Sequence, residues 1–124
     1  MKRIVLALAL AGAGTLALAQ GGSFRCGGVG VGEQDKFKAE AVQHDALLTF
    51  AVSTGAYLAD VGVRITDSHG AVVLEGKCDG PLMLLDLPGK GSYTVAATAQ
   101  GKTQQKTLAI GQRPASATFT WPAG

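Results

Sequence analysis

Chemistry in this 124-residue chain has few carriers: two cysteines, two histidines and nine carboxylates, set among short apolar runs. Cys26 and Cys78 suit a covalent link. In an oxidising compartment an isolated thiol on a small domain is a liability, so the two are expected to be bridged, with two unpaired buried thiols as the alternative. Cys78 falls on one face of an alternating run with Val72 and Leu74, so it is expected to point inward or to lie at the strand's buried end. Cys26 lies on a glycine-rich arm with no other anchor in the sequence, and a bridge pins that arm.

His44 and His69, with Met83 or with the two cysteines, offer the imidazole and sulfur donors that suit copper or zinc. The spacing argues against such a site, because no His-x-His, Met-rich or Cys-x-x-Cys pattern is present, and no metal or cofactor is expected. His44 reads as a helix C-terminal residue interacting with the dipole, and His69 as a solvated turn residue. Ser68 and His69 are direct neighbours on a turn, a placement that rarely holds nucleophile and base in line, so no catalytic residue is expected. Asp60, Asp67 and Asp79 flank connections, where aspartate serves the backbone. Asp86 stands between Leu85 and Leu87 and must face solvent at an edge or find a partner such as Arg64 or Lys77.

The elements that position these residues are strands. Val61, Val63 and Ile65 alternate with Gly62, Arg64 and Thr66, the period of two of a half-buried strand. Asp67-Ser68-His69-Gly70 has the chemistry of a hairpin connection into Ala71 to Cys78. Asp79-Gly80-Pro81 is a second turn, and Leu82 to Leu87 is so uniformly apolar that both its faces are expected to be covered. Pro88-Gly89-Lys90-Gly91 ends that strand. Tyr93, Val95, Ala97 and Ala99 alternate in the next, and a turn at Gln100-Gly101-Lys102 leads into Thr103 to Ile110, whose exposed face is expected to carry Gln104, Lys106 and Gln105. Leu47 to Ser53 reads as the first strand of the sandwich and Ser116 to Trp121 as the last, ended by Pro122. The sum is an all-β fold, a small antiparallel β-sandwich of immunoglobulin-like or transthyretin-like kind, with one short N-terminal helix. That helix spans Glu33 to His44, and Phe37 and Val42 are expected to dock it on the sandwich or over a sheet edge.

The order of strand, Asp79-Gly80 turn, apolar strand, Leu87-Pro88-Gly89, Gly91-Ser92-Tyr93-Thr94-Val95, Gly101 and polar strand resembles the carboxypeptidase regulatory-like domain. The resemblance covers roughly residues 55 to 110 and implies a seven-stranded transthyretin-like sandwich. A narrower resemblance, through Cys26-Gly27-Gly28-Val29-Gly30 and the short helix, is to small exported proteins of Gram-negative bacteria. The family implies no peptidase activity: its domain is an accessory to a catalytic one, which this sequence lacks.

Lys2 and Arg3, the apolar run from Ile4 to Leu18, and Ala17-Leu18-Ala19 before Gln20 have the three parts of a secretory signal peptide over residues 1–19. The run is short and alanine-rich for a membrane span, and Cys26 lies too far downstream for a lipoprotein anchor. Residues 20–45 then form the glycine-rich arm and helix, and 46–124 the sandwich domain. Removing Lys2 and Arg3 from 11 basic residues leaves 9 against 9 acidic, a net charge of zero. With no basic cluster left, nucleic acid and stable membrane insertion of the mature chain are not expected. Gly28-Val29-Gly30-Val31-Gly32 fails as a phosphate loop because Gly-x-Gly-x-x-Gly from Gly28 needs glycine where Glu33 stands. The arm reads as flexible or closely packed, with Val29 and Val31 available to pair with a sheet edge.

The expected protein is thus periplasmic or secreted, not an enzyme, and a binding module for a protein, peptide or saccharide. The alternatives are an envelope assembly subunit that lends its arm to a neighbour, or a small metal or redox protein using Cys26, Cys78 and the histidines.

Overall fold

A computed structural model of the chain describes residues 21–123; the leader assigned to residues 1–19 lies outside the described residues. Among the described residues eight strands run in the order β1 Ser23–Gly27, β2 Ala46–Val52, β3 Val61–Thr66, β4 Val72–Cys78, β5 Leu82–Asp86, β6 Gly91–Ala99, β7 Lys102–Ile110 and β8 Ala115–Trp121. Helix α1, Val31–Glu40, lies between β1 and β2 and runs into a 3₁₀ turn at Ala41–Gln43.

The strands form two four-stranded sheets, ordered β1-β5-β2-β8 and β4-β3-β6-β7. All pairs are antiparallel except β2 with β8, which run parallel from Ala46 opposite Ala115 to Val52 opposite Trp121. The all-β sandwich expected from period-two patterning is therefore the fold. Its core is made by the inward residues of both sheets, with Leu48, Phe50, Met83, Leu85, Phe119 and Trp121 from the first meeting Val61, Ile65, Val95 and Leu108 from the second.

Leu82–Asp86 lies inside the first sheet, and its two apolar faces are covered differently. Met83 and Leu85 face the core, while Leu82 and Leu84 pack against Phe37 of α1. The helix is thus the lid on the outer face of the first sheet, and Phe37 is its anchor at 5% exposure. Val42, expected to share that task, is 73% exposed. The chain tightens into the 3₁₀ turn after Glu40, so the spacing that put Val42 on the docking side no longer applies.

The glycine-rich arm supplies β1, whose five residues pair with β5 from Ser23 opposite Asp86 to Gly27 opposite Leu82. Sheet pairing therefore begins upstream of residue 46, and the arm meets the edge through Ser23–Gly27, while Val29 and Val31 stay exposed. Gly28 adopts φ 92°, and a Cβ there would stand 2.7 Å from Leu82 Cγ, so only glycine lets the chain leave β1 this close to the sheet.

Both open sides of the sandwich are closed. On one, Gly22 N–H donates to the Val73 carbonyl at 3.1 Å, Phe24 covers Gly76, and Cys26 is bonded to Cys78. On the other, Trp121 Nε1 donates to the Lys102 carbonyl at 3.0 Å, Gln104 Nε2 donates to the Thr120 carbonyl, and Lys106 Nζ lies 5.6 Å from the Phe119 ring centroid. Gln104 and Lys106 therefore belong to the face that carries Leu108 and Ile110, where Lys106 is exposed as expected and Gln104 half-buried; the correction is that Gln105 takes the opposite face. Register decides this: Lys106 lies opposite the buried Val95 at an edge where the core runs out.

A second correction concerns β4. Ile65 pairs with Leu74 but Thr66 pairs with Val72, so Val73 is an extra residue in a bulge. Leu74 and Cys78 keep the inward face, whereas Val72 lies on the outer one.

Candidate functional site

Cys26 and Cys78 are bridged, with Cα atoms 5.5 Å apart and a sequence separation of 52. Cys78 is fully buried and Cys26 half-buried, so the bond ties the edge strand of one sheet to the edge strand of the other. Its role in the geometry is a staple between layers.

The histidines are not brought together with the sulfur atoms. His44 follows the 3₁₀ turn, and its Nδ1 lies 2.8 Å from Asp86 Oδ2; Asp45 N–H donates to the other Asp86 oxygen at 3.3 Å. Asp86 thus finds its partner on the neighbouring connection and not in Arg64 or Lys77, which belong to the other sheet. Asp45 is the wider junction: its side chain accepts from Leu87 N–H at 2.8 Å and its carbonyl from Ala115 N–H at 2.9 Å, joining the end of β5 to the start of β8. This cluster fastens strand ends.

His69 sits in the exposed β3–β4 turn, whose organiser is Asp67. The Asp67 carboxylate accepts from the N–H groups of Ala71 and His69, each at 2.9 Å, and these bonds, Ala71 first, hold its carboxyl below the ordinary carboxylate range. Arg64 pairs with Glu75 across the outer face of the second sheet at 2.9 Å, above a shallow depression floored by Gly62 and Ala96. Among the described residues, no group of three or more His, Cys, Asp or Glu side chains is arranged to hold a metal ion.

The surface that stands apart is at the end of the sandwich where the β1–α1 connection meets the β2–β3 loop. A groove of about 260 Å³ runs between Val29, Gly30 and Gln34 on one wall and Tyr57, Leu58 and Ala59 on the other. Val29 and Val31 are 72% and 73% exposed and Tyr57 is 42% exposed, three of the five large apolar residues the described surface presents.

Both walls are held by hydrogen bonds. Glu33 Oε1 accepts from the N–H groups of Gly28 at 2.8 Å and Val29 at 2.9 Å, tying the connection that precedes α1 to the helix's first turn, and Gln34 Nε2 donates to the Gly28 carbonyl at 3.0 Å. Opposite them Tyr57 bridges to Ala51, and Leu58 N–H donates to the Phe50 carbonyl at 3.0 Å. Reading the sequence for chemistry passed over this surface, because its members are apolar and come from separate connections. The one local signal was a pair of valines isolated among glycines.

The fold and this surface define a disulfide-stapled all-β sandwich that presents an apolar groove at one end. No protein-family model matches the chain, and no curated protein matches it. Among the described residues no helix is long and apolar enough to cross a membrane.

Proposed function

We propose that this chain is an exported, non-catalytic β-sandwich module that binds a protein, peptide or saccharide in the periplasm or outside the cell. The observation that carries the reading is the exposure of Val29 and Tyr57 on the hydrogen-bonded walls of the groove, with Val31 exposed two positions further along the chain. Apolar side chains left in water on a loop that is itself immobilised forgo burial that a flexible loop would recover by folding back, and such patches commonly mark contact surfaces. The staple and the closed sides supply the rigid frame on which loops carry recognition. Export is supported by the leader pattern of residues 1–19 and by the disulfide, which suits an oxidising compartment. The strand-and-turn order shared with the carboxypeptidase regulatory-like domain supports an accessory role of the same kind.

The test is site-specific photo-crosslinking in the native envelope, with a photoreactive amino acid at Val29 and a control at Ala109 on the exposed side of β7. A reproducible adduct from Val29 that the control does not give is the expected result. Recovery of the chain alone from both positions, across growth conditions, overturns the reading.

A further inference from the structure

Four strands form the edges of the two sheets, and they are finished differently. β1 is five residues long and is tied to β4 by the Gly22–Val73 hydrogen bond and the disulfide. β4 is interrupted by the bulge at Val73, and on β8 the Thr120 carbonyl accepts from Gln104. β7 carries no bulge: its nine residues pair with β6 from end to end without a register shift. A long, regular edge is a template for another strand.

The hairpin that joins β6 to β7 decides which backbone groups are open. Gln100 and Gly101 both have positive φ, 55° and 75°, the two-residue turn that closes on a hydrogen-bonded pair, here Ala99 with Lys102. Antiparallel pairing then alternates, so Gln104 and Lys106 bond to β6, while the N–H and carbonyl groups of Thr103, Gln105 and Thr107 face away from it. Among the described residues these outward backbone groups have no hydrogen-bond partner. The contacts that Gln104 and Lys106 make with β8 come from the inward face of β7 and not from this edge.

Charge selects the occupant. Lys102 and Lys106 are exposed on the strand itself, on one face, and neither forms a salt bridge among the described residues. β6, β7 and β8 contain no Asp or Glu. A second copy of the chain would bring the same lysines to this edge, and like charges across strands destabilise pairing. A strand whose carboxylates have the spacing of Lys102 and Lys106 places one opposite each.

We propose that the free edge of β7 takes up an extended acidic peptide segment of a partner protein as an added strand over Lys102 to Thr107. The segment runs antiparallel, as every pair in that sheet does, with Asp or Glu opposite Lys102 and Lys106. Backbone hydrogen bonds to Thr103, Gln105 and Thr107 supply the contact, and the carboxylates supply the selectivity. The edge is separate from the groove, and the proposal goes beyond the reading given for that surface. The docked stretch stops short of Ala109, so the control position of the groove experiment stays outside it.

NMR titration of the isotope-labelled, disulfide-intact protein with a Thr-Glu-Thr-Ser-Thr-Glu core peptide tests this, its residues running opposite Thr107 back to Lys102. The amides of Thr103, Gln105 and Thr107 are expected to shift, and a Thr-Lys-Thr-Ser-Thr-Lys core is expected not to bind. N-methylation of the second and third threonines of the acidic peptide removes N–H groups that face β7 and should weaken binding about tenfold or more, whereas methylation of its first Glu and its Ser, which face away, should change it by less than about twofold. Lys102→Gln with Lys106→Gln should weaken it about fivefold, the worth of two exposed ion pairs, and added salt should do the same. Gln105→Pro removes an N–H that bonds nothing in the fold and should abolish binding at an unchanged melting temperature; should that variant misfold, the methylated peptides carry the test on the wild-type chain. Equal affinity for the acidic and basic cores, indifference to which peptide nitrogens are methylated, or an absence of shifts along β7 overturns the proposal. Shifts confined to Val29, Gly30 and Tyr57 overturn the edge while the groove reading stands, and β7 shifts without a Val29 photo-adduct do the reverse.

Discussion

Replacing both cysteines by alanine, Cys26→Ala with Cys78→Ala, tests the staple between the sheets. The bridge closes a loop with a sequence separation of 52. Chain-entropy reasoning for a loop of that length gives about 4 kcal/mol, an upper figure because unfolded chains retain structure. For a domain near 100 residues each kcal/mol moves the melting temperature by about 4–8 °C, so a drop of about 15–30 °C is expected. Alanine is the better replacement at position 78, where a fully buried serine hydroxyl would add its own desolvation cost.

Urea unfolding read by Trp121 fluorescence gives the free-energy change. The slope against urea should rise as well, because the unstapled unfolded chain exposes more surface. Hydrogen exchange locates the effect: the amides of Ser23–Gly27, an edge strand paired on one side only, should lose protection first, while β3 and β6 keep theirs. A loss below about 1 kcal/mol with an unchanged slope and a still-protected β1 would refute the reasoning. The seating of β1 would then belong to its pairing with β5 and to Phe24 over Gly76.

Further expectations follow from single contacts. Phe37→Ala removes the one buried anchor of α1 from Leu82 and Leu84 and should cost about 3–5 kcal/mol by urea unfolding, with loss of helical circular dichroism. Gly28→Ala places a methyl 2.7 Å from Leu82 Cγ at φ 92° and should destabilise by more than about 1 kcal/mol, whereas Gly32→Ala, inside α1 with open space around it, should stabilise by about 0.5–1 kcal/mol; the two together separate close approach from generic glycine effects. Asp67 is depressed from its ordinary 3.8 by its backbone bonds, so its contribution is complete above that value and is lost as pH falls through the lower folded-state value. The stability difference between the wild type and Asp67→Asn should therefore be constant near neutrality and shrink in acid; a difference that grows in acid would contradict the assignment.

Legibility followed the range of the interaction. The alternation of Val61, Val63 and Ile65, and of Tyr93, Val95, Ala97 and Ala99, is local, because a half-buried strand writes its inside and outside into successive residues. The turns at Asp67–Gly70 and Asp79–Pro81 are local for the same reason. Leu82 to Leu87 announced two covered faces without saying what covers them. The answer, core on one side and Phe37 on the other, depends on where the helix lands. Ser23–Gly27 carries its alternation, Phe24 and Cys26 against Ser23 and Arg25, in too few residues among too many glycines to read as a strand. Only the exposed edge of β5 makes it one. Gln104 and Lys106 share the face of Leu108 and Ile110 rather than that of Gln105, because an edge strand that outruns the core keeps its inward face without keeping that face apolar.

The groove was the least legible feature. Val29 and Val31 look like spacers in a glycine-rich arm, and Tyr57 lies 26 positions beyond Val31 in a separate loop. Nothing periodic connects them.

What the amino-acid sequence determined by itself is whatever a chain settles with its near neighbours: strand faces, turn chemistry and the fold class. The tertiary structure decided the rest. It placed β1 beside β5 and Phe37 over Leu84, paired His44 with Asp86, set the parallel register of β8 on β2, and brought two distant connections together as one apolar groove. These are choices between sheet edges and faces that are chemically alike along the chain. They differ only in what surface each arrangement buries, and buried surface is a property of the assembled layers.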